Sequence, residues 1–395
     1  MIFYFHAIRQ VDIIISLGLT QLMRELDKDI KFELLITHYP QLYKYDQLRL
    51  GDYFDRVHHL PYCNYEKNVI KGLKQAIRHK QAIKKIEIPK ESVFFFFDDS
   101  ELSCLNLYRH IDELRKKHYR IKSYHLVYQL NPLKYNLLGN IKTSLWRSLA
   151  LSFYSLLFYG RMLRYQYVPG SVNIGNRLLG TAMFAKEIFF NRSSPPGYKS
   201  EYEKMSLTLD QIKFSDQEQV LSLPEDTILF IGHNLVTYIP ERERFSSIMN
   251  EVLGRIRAAY PANQLFMKWH PHDTQDDYQG VSLAGITMID QKEYLEKVII
   301  FNAGRIKAVF SFFSSANFCS AALGIPSYYL YPLLQLKHRH ADYLDALLFD
   351  AEPTGFIKKV TKPEEIRIAD TLKDELDADQ AKGKWRHLLE HIKTQ

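Results

Sequence analysis

The sequence predicts an α/β protein of two tandem domains, in each of which helices cover a parallel β-sheet. Its length of 395 residues favours two domains over one. Short apolar runs alternate with stretches of helical apolar spacing, and this alternation indicates parallel sheets. A proline- and glycine-containing segment at 193–197 and a polar stretch at 207–226 separate two such series. We expect domains at 1–205 and 206–375, and a C-terminal helix at 376–395 that packs back on the first domain.

The N-terminal series contains four predicted strands and three predicted helices. The strands are expected at 1–5, 32–37, 92–97 and 121–130. The helices are expected at 13–26, 65–86 and 102–118. The second helix is basic and amphipathic, and the third strand is a continuous apolar run, which is typical of a buried strand.

The C-terminal series repeats this alternation. Its strands are expected at 227–231, 264–268, 307–310 and 327–331. Its helices are expected at 241–259, 292–302 and 316–323. Gly324 would close the last of these helices, and the charged stretch at 363–394 is also expected to be helical.

Polar residues that are unusual in such a setting follow four of the predicted strands. Asp98, Gly232, His270 and Ser314 each lie just past the carboxyl end of a strand. In open parallel sheets, ligands bind beyond the carboxyl ends of the strands. Two domains that face each other would therefore place these residues in one central cleft.

The chain is mildly basic, with a formal charge of +7 and a pI of about 8.9. This excess fits an anionic partner, which could be a nucleotide donor, an acidic glycan, a phospholipid surface or a nucleic acid. Only the basic helix at 65–86 favours nucleic acid, so we do not expect a nucleic-acid partner.

The cysteines and the N-terminus predict a cytoplasmic protein. Cys63, Cys104 and Cys319 form an odd set without CxxC spacing, which argues against a disulfide framework and a structural zinc site. No basic region precedes the first apolar stretch, which argues against a signal peptide.

The longest apolar stretch, 148–160, lies between Arg147 and Arg161. It is too short to span a bilayer, which needs about 20 residues. It is therefore expected to be either a buried helix or a helix that lies on an anionic membrane surface.

His270 and Pro271 form the first candidate site. Proline favours extended geometry in the residue before it, so His270 would project from the sheet edge in a constrained direction. This suits a general acid or a phosphate-binding imidazolium. Lys268, two residues earlier, would share the same side of an extended strand. The alternative is a surface-loop histidine, since the chain contains 15 histidines.

Two further pairs of polar residues each allow a functional and a structural interpretation. Ser314 and Ser315 lie between a strand and a helix, where hydroxyls either cap the helix or bind a phosphate at its N-terminus. Asp98 and Asp99 follow a buried strand. They would form a metal site or a catalytic base, or they would favour the N-terminus of the next helix.

Together these residues resemble the motifs of bacterial sialyltransferases of the GT-B type and of the related polysialyltransferases. Those families carry a short acidic motif, a His-Pro motif and a paired Ser/Thr motif, in that order. Here the motifs appear as Asp98-Asp99-Ser100, His270-Pro271 and Ser314-Ser315. Glu296 takes the place of the family's glutamate between the last two motifs. Ser100 departs from the glycine that is usual at the third acidic position.

The resemblance implies a GT-B architecture, which is two Rossmann-like domains that face a central cleft, and a role for each residue. Asp98 would be the general base for the acceptor hydroxyl, with Asp99 as the alternative. His270 would donate a proton to the departing CMP phosphate or stabilise its charge. The serine pair would bind that phosphate and Glu296 the ribose. The full set of implied donor-binding residues is Gly232, Asn234, Lys268, Pro271, Glu296, Ser314 and Ser315.

The implied reaction is an inverting displacement that moves sialic acid, or a related nonulosonic acid, from CMP to a glycan acceptor. It would serve bacterial capsule or lipopolysaccharide synthesis, in the cytoplasm or at the cytoplasmic face of the inner membrane. CMP carries one phosphate, so an imidazole, two hydroxyls and a helix N-terminus can meet its charge. We therefore expect no metal and no cofactor.

Two alternatives remain open. The first is a CMP-Kdo-dependent transferase of capsule or lipopolysaccharide assembly, which would share the His-Pro and Ser-Ser chemistry. The second is a catalytically inactive GT-B protein that binds a nucleotide or a glycan, and Ser100 is the feature that points to it.

Overall fold

The structure is a computed structural model, and it describes most of the chain in separate stretches. These are residues 1–37, 48–63, 69–97, 102–114, 116–122, 153, 156, 187–189, 212–215, 219–233, 239, 241–270, 273–314, 316–336, 357–367 and 378–394. The chain divides into two compact units. The N-terminal unit comprises Met1–Tyr43, Leu48–Leu207 and Asp377–Gln395, and the C-terminal unit comprises Lys44–Gln47 and Thr208–Leu376.

The N-terminal unit is built on a six-stranded parallel sheet in the order β3-β2-β1-β4-β5-β6. This is the order of a doubly wound α/β sheet, with its switch point between β1 and β4. The strands, in chain order, are β1 Ile2–Ala7, β2 Lys31–Thr37, β3 Arg56–Leu60, β4 Ser92–Phe96, β5 Lys117–Lys122 and β6 Glu187–Phe189. The helices are α1 Gln10–Leu26, α2 Val69–Lys84 and α3 Leu102–Glu113.

Aromatic side chains hold the central strands of this sheet together. Tyr4 stacks on Phe94 with ring centroids 4.7 Å apart, and Phe5 stacks on Phe95 at 5.1 Å. Every residue of β4 is buried. Near-continuous apolar strands are expected where helices cover both faces of a parallel sheet, and offset ring pairs add to the packing energy.

The C-terminal helix α7, Ala378–Thr394, belongs to the N-terminal unit. It packs against α1, and Trp385 is fully buried there. Lys382 pairs with Glu25 at 2.9 Å, and Lys393 pairs with Asp27. The apolar side chain and the ion pairs attach the end of the chain to its beginning.

The C-terminal unit repeats the same strand order, β12-β11-β10-β7-β8-β9, in a second parallel sheet. Its strands are β7 Thr227–Ile231, β8 Leu265–Lys268, β9 Ile286–Met288, β10 Ile306–Ser311, β11 Ser327–Tyr329 and β12 Ile357–Lys359. Its helices are α4 Arg242–Ala259, α5 Leu295–Phe301 and α6 Ala316–Ala322. As expected, Gly324 follows α6 in the left-handed region, with φ of +77°.

The edges of both sheets are where the sequence predictions are wrong. The strands β3, β6, β9 and β12 were not expected, because they are short and lack a continuous apolar run. The helix predicted at 102–118 ends at Glu113, and its last residues start β5 instead. Within the predicted helical tail, Pro363–Glu365 is a single 3₁₀ turn and Ala378–Thr394 is α-helical, and residues 368–377 lie outside the described residues.

None of the helices in the described part of the chain combines the length and the hydropathy that crossing a bilayer requires. The apolar stretch at 148–160 lies outside the described residues except for Phe153 and Leu156. Both are helical and have exposed side chains.

A chain of buried polar side chains crosses the N-terminal unit beside the carboxyl ends of β1 and β2. The amide nitrogen of Asn106 lies 3.4 Å from Nδ1 of His79, whose Nε2 lies 3.4 Å from Oγ1 of Thr37. That hydroxyl lies 2.9 Å from Nε2 of His6, and Nδ1 of His6 lies 3.4 Å from Sγ of Cys104. All five side chains are buried.

The hydrogen bonds of His79 in this chain fit a neutral imidazole. Asn106 donates to Nδ1 of His79, so the proton of His79 is on Nε2 and is donated to Thr37. A second proton on His79 would face the Asn106 donor. Burial, and to a smaller extent the neighbouring His6, together lower the pKa of His79 from 6.5 to about 3.

This depressed pKa predicts that the N-terminal unit loses stability in acid. Between pH 6.5 and about 3 the unfolded chain binds a proton at His79 and the folded chain does not. The contribution of His79 is therefore complete above pH 6.5 and falls with pH by up to about 1.4 kcal/mol per pH unit. Urea midpoints between pH 7.5 and 4.5 should decline less in His79→Gln than in wild type. His387→Gln, which changes an exposed histidine of α7, is the control. Equal pH slopes in wild type and His79→Gln would contradict the assignment.

Candidate functional site

Three strands of the C-terminal sheet end at the same level. Ile231 of β7 pairs with Lys268 of β8 on one side and with Ser311 of β10 on the other. The residues that follow these strands therefore meet at one edge. The order of the strands reverses between β7 and β10, and this switch point is where ligands bind in doubly wound sheets.

Gly232 is packed too tightly to carry a side chain. Its N–H donates to the carbonyl of Lys268 at 2.7 Å. A Cβ at this position would lie 2.7 Å from Oη of Tyr278, 3.0 Å from the carbonyl oxygen of Lys268 and 3.1 Å from Cα of Trp269. Glycine is therefore required because the loop after β7 passes close to the loop after β8.

The backbone of His270 is fixed on both sides. Its N–H donates to Oδ2 of Asp273 at 3.1 Å, and its carbonyl accepts from Nε2 of Gln291 at 3.1 Å. The same amide of Gln291 also donates to the carbonyl of Asp273 at 2.8 Å. These two hydrogen bonds fix the backbone of His270 at the sheet edge.

Asp273 is a buried carboxylate that joins two parts of this loop. Besides His270, it accepts a 2.7 Å hydrogen bond from the hydroxyl of Tyr278. Burial raises the pKa of Tyr278, and the charge of Asp273 raises it further, so the phenol stays a donor. The ring of Tyr278 stacks on Trp269, with centroids 4.9 Å apart.

His233 lies between the loops that follow β7, β8 and β10. Its ring centroid is 3.7 Å from that of Phe313 and 5.4 Å from that of His270. Burial, and to a smaller extent the nearby His270, together lower the pKa of His233 from 6.5 to about 3. His233 is therefore neutral at physiological pH, and it places no positive charge beside His270.

Lys268 lies below this edge rather than on it. The residue is 4% exposed, and Nζ donates to the carbonyl of Gln291 at 3.3 Å. Burial lowers the pKa of Lys268, and the charges of Glu296 and three aspartate or glutamate neighbours oppose that shift. Glu296 is in the first turn of α5. The ammonium is thus a buried counter-charge for carboxylates around the site.

Ser314 performs the structural role that the sequence allowed. Its Oγ accepts the N–H of Ala316 at 3.3 Å at the start of α6, and its own N–H donates to Oγ of Ser311 at 2.9 Å. Its carbonyl accepts the hydroxyl of Tyr329 at 3.0 Å. A hydroxyl that accepts one hydrogen bond can still donate another, so helix capping is compatible with phosphate binding.

Some of the expected site residues lie outside the described residues. These are Asp98, Asp99, Asn234, Pro271 and Ser315. Of the others, Gly232, His270 and Ser314 lie in the loops that follow β7, β8 and β10, Glu296 lies in the first turn of α5, and Lys268 is the buried last residue of β8.

Sequence reasoning missed four residues that support this edge: His233, Asp273, Tyr278 and Gln291. Two of them had a usable signal. An aspartate three residues after a strand-ending histidine is well placed to accept a local backbone N–H, as Asp273 does. A histidine that directly follows the close-packed Gly232 is placed at the same strand end. Tyr278 and Gln291 depend on contacts that have no sequence pattern.

Known proteins are similar to this chain in sequence over one segment and in fold over its whole length. The model of the alpha-2,8-polysialyltransferase family matches residues 163–330, which include every described candidate residue. The calicheamicin glycosyltransferase CalG4 has a similar structure, with a TM-score of 0.50 and 11% identity over 100% of this chain and 94% of that chain. A UDP-GlcNAc 2-epimerase from Methanocaldococcus jannaschii has a TM-score of 0.55 and 13% identity over 99% and 100%. No curated protein sequence matches the chain.

At these identities the two structures establish the fold alone, and a transferase and an epimerase share it. Two doubly wound parallel sheets in tandem define the GT-B class, so the predicted fold class is confirmed. The family match is confined to residues 163–330, and this part of the chain is similar to the alpha-2,8-polysialyltransferase family.

The close approach at Gly232 predicts a specific cost for a methyl group. Gly232→Ala would push the Tyr278 hydroxyl away from Asp273 and should lower the free energy of unfolding by about 1–3 kcal/mol. Gly254→Ala is the matched control. It lies inside α4 with open space around it, and should stabilise by about 0.5–1 kcal/mol. Urea unfolding of both variants checks this, and equal stabilities would show that the loops have room.

Proposed function

We propose that this glycosyltransferase is an inverting, metal-independent enzyme. It moves sialic acid, or a related nonulosonic acid, from its CMP donor to a glycan acceptor of a bacterial surface polysaccharide or lipooligosaccharide. The proposal rests mainly on the position of His270 at the switch point of the C-terminal sheet, where two hydrogen bonds fix its backbone. The match to the polysialyltransferase family covers this region and supports it.

The proposed donor site uses the carboxyl edge of the C-terminal sheet. Ser314 and Ser315 bind the single phosphate of CMP, and His270 donates to the same group. Glu296 binds the ribose hydroxyls. Gly232 lets the backbone approach the nucleotide closely, because its position has no Cβ. Asn234 and Pro271 complete the proposed contacts.

Lys268 acts in this proposal through Glu296 rather than on the donor directly. The buried ammonium of Lys268 interacts electrostatically with Glu296, whose carboxylate would accept hydrogen bonds from two ribose hydroxyls. Lys268 is therefore proposed as a positioning residue.

The proposed chemistry is one displacement at the anomeric carbon. The acceptor oxygen forms a bond to the anomeric carbon while the bond between that carbon and the CMP phosphate oxygen breaks. The electron pair of the broken bond leaves with CMP. Asp98 takes the acceptor proton, with Asp99 as the alternative base. His270 protonates the departing phosphate or stabilises its negative charge. A positioned acid or base typically contributes about 10²–10⁴-fold in rate.

CMP-Kdo is the second candidate donor, because its leaving group is the same. The proposed site contacts the nucleotide through residues that do not depend on the sugar. The choice between nonulosonic acid and Kdo therefore depends on residues other than His270, Ser314 and Glu296.

A donor-selection assay tests this proposal. CMP-Neu5Ac, CMP-Kdo and UDP-GlcNAc are offered separately in EDTA, and nucleotide release is measured. We expect CMP release from CMP-Neu5Ac in EDTA, and a loss of at least about 10²-fold in His270→Ala and in Asp98→Ala. His387→Ala, on the exposed side of α7, is the control and should retain wild-type activity.

The other possible outcomes would either change one part of the proposal or overturn it. Release from CMP-Kdo alone would replace the donor. Conversion of UDP-GlcNAc alone, or no reaction with any CMP-sugar, would overturn it. Full activity in Asp98→Ala would move the base to Asp99 or elsewhere.

A further inference from the structure

The helix α2 has an exposed face that combines cationic and aliphatic side chains. Ile70 is 66% exposed and Ile77 is 45% exposed. They lie two helical turns apart and therefore on one line along the helix. Lys74 and Arg78 are exposed on one side of this line and Lys84 on the other. These five residues are called the α2 face.

The opposite side of α2 packs into the N-terminal unit, so the orientation of the helix is fixed. Ala76 and Ile83 belong to the hydrophobic core of that unit, and His79 is part of the buried polar chain. The exposed isoleucines cannot be buried by rotation of the helix without exposing those residues. Their exposure is a property of the folded unit.

The basic excess of the whole chain is concentrated at this helix. Residues 69–90 contain seven lysines and arginines and one glutamate, so this segment holds +6 of the chain's formal charge of +7. The helix itself contains no acidic residue. Glu87 follows it, and His110 of α3 interacts electrostatically with Lys80 and Lys84 of α2 and with Glu113 of its own helix. Cations therefore outnumber carboxylates on this surface.

The combination of side chains selects one kind of partner. A soluble polyanion, such as an acidic glycan or a nucleic acid, would use the cations and leave the isoleucines in water. An anionic bilayer uses both, because cations meet the lipid phosphates and aliphatic side chains enter the boundary with the acyl chains. Lysine and arginine stems can extend to keep their charges at the headgroups.

We propose that the α2 face docks the protein on an anionic phospholipid surface. This surface is separate from the apolar stretch at 148–160, which the sequence suggested for the same purpose. The proposal rests on the fold of the N-terminal unit and does not depend on the donor or the reaction.

Flotation with vesicles tests it. The full chain is mixed with vesicles of phosphatidylcholine alone or with one quarter phosphatidylglycerol, and the bound fraction is measured. Binding is expected only to the anionic vesicles, and it should weaken as salt rises from 0.05 to 0.5 M.

Variants separate the two parts of the α2 face. Each cation should contribute about fivefold in affinity, so Lys74→Gln/Arg78→Gln/Lys84→Gln should lose about 100-fold. Ile70→Ser/Ile77→Ser keeps every charge and should lose at least about tenfold. The matched control, Lys28→Gln/Lys31→Gln/Arg56→Gln, removes three exposed cations elsewhere on the same unit and should retain at least one third of the affinity. Circular dichroism verifies that each variant is folded.

Three outcomes would overturn the proposal. Equal binding to neutral and anionic vesicles would exclude an electrostatic surface. Equal losses in the control and the α2 triple variant would assign binding to net charge. Wild-type vesicle binding by Ile70→Ser/Ile77→Ser, together with its displacement by soluble polysialic acid, would assign the α2 face to a polyanion in solution.

Discussion

The buried carboxylate of Asp273 organises the carboxyl edge of the C-terminal sheet. It accepts the N–H of His270 and the hydroxyl of Tyr278, and Tyr278 in turn stacks on Trp269 and limits position 232 to glycine. Removing this carboxylate would leave two donors without their acceptor, at about 1–3 kcal/mol for each buried group. The backbone position of His270, the close approach at Gly232 and the stacking of Tyr278 on Trp269 therefore all depend on Asp273.

The buried groups at this edge and the groups at the strand ends have different electrostatic roles. Lys268 has a positive charge in the protein interior, and Glu296 has a negative charge near it. His233 stays neutral because burial lowers its pKa. His270 and Ser314 lie at the ends of the strands, where a ligand can approach. The N-terminal unit has a similar feature, since burial lowers the pKa of His79 in its buried chain of polar side chains.

The sequence predicted the central parts of the fold well, for a physical reason. The strands β1, β4, β7 and β10 are apolar runs because helices cover both faces, and such runs are visible without a structure. Edge strands such as β3 and β9 carry polar residues and were missed. At the carboxyl edge of the C-terminal sheet, the residues that directly follow a predicted strand could be singled out from the sequence. Tyr278 and Gln291 were not, because their roles come from contacts across loops.

We propose above all that the carboxyl edge of the C-terminal sheet binds the CMP part of the donor. Calorimetric titration of CMP and UDP in EDTA tests it most directly, in wild type and in Ser314→Ala. We expect saturable CMP binding that is at least about tenfold tighter than UDP binding. CMP binding should be weaker in Ser314→Ala than in wild type by a similar factor. Tighter binding of UDP, or CMP binding that Ser314→Ala leaves unchanged, would contradict it.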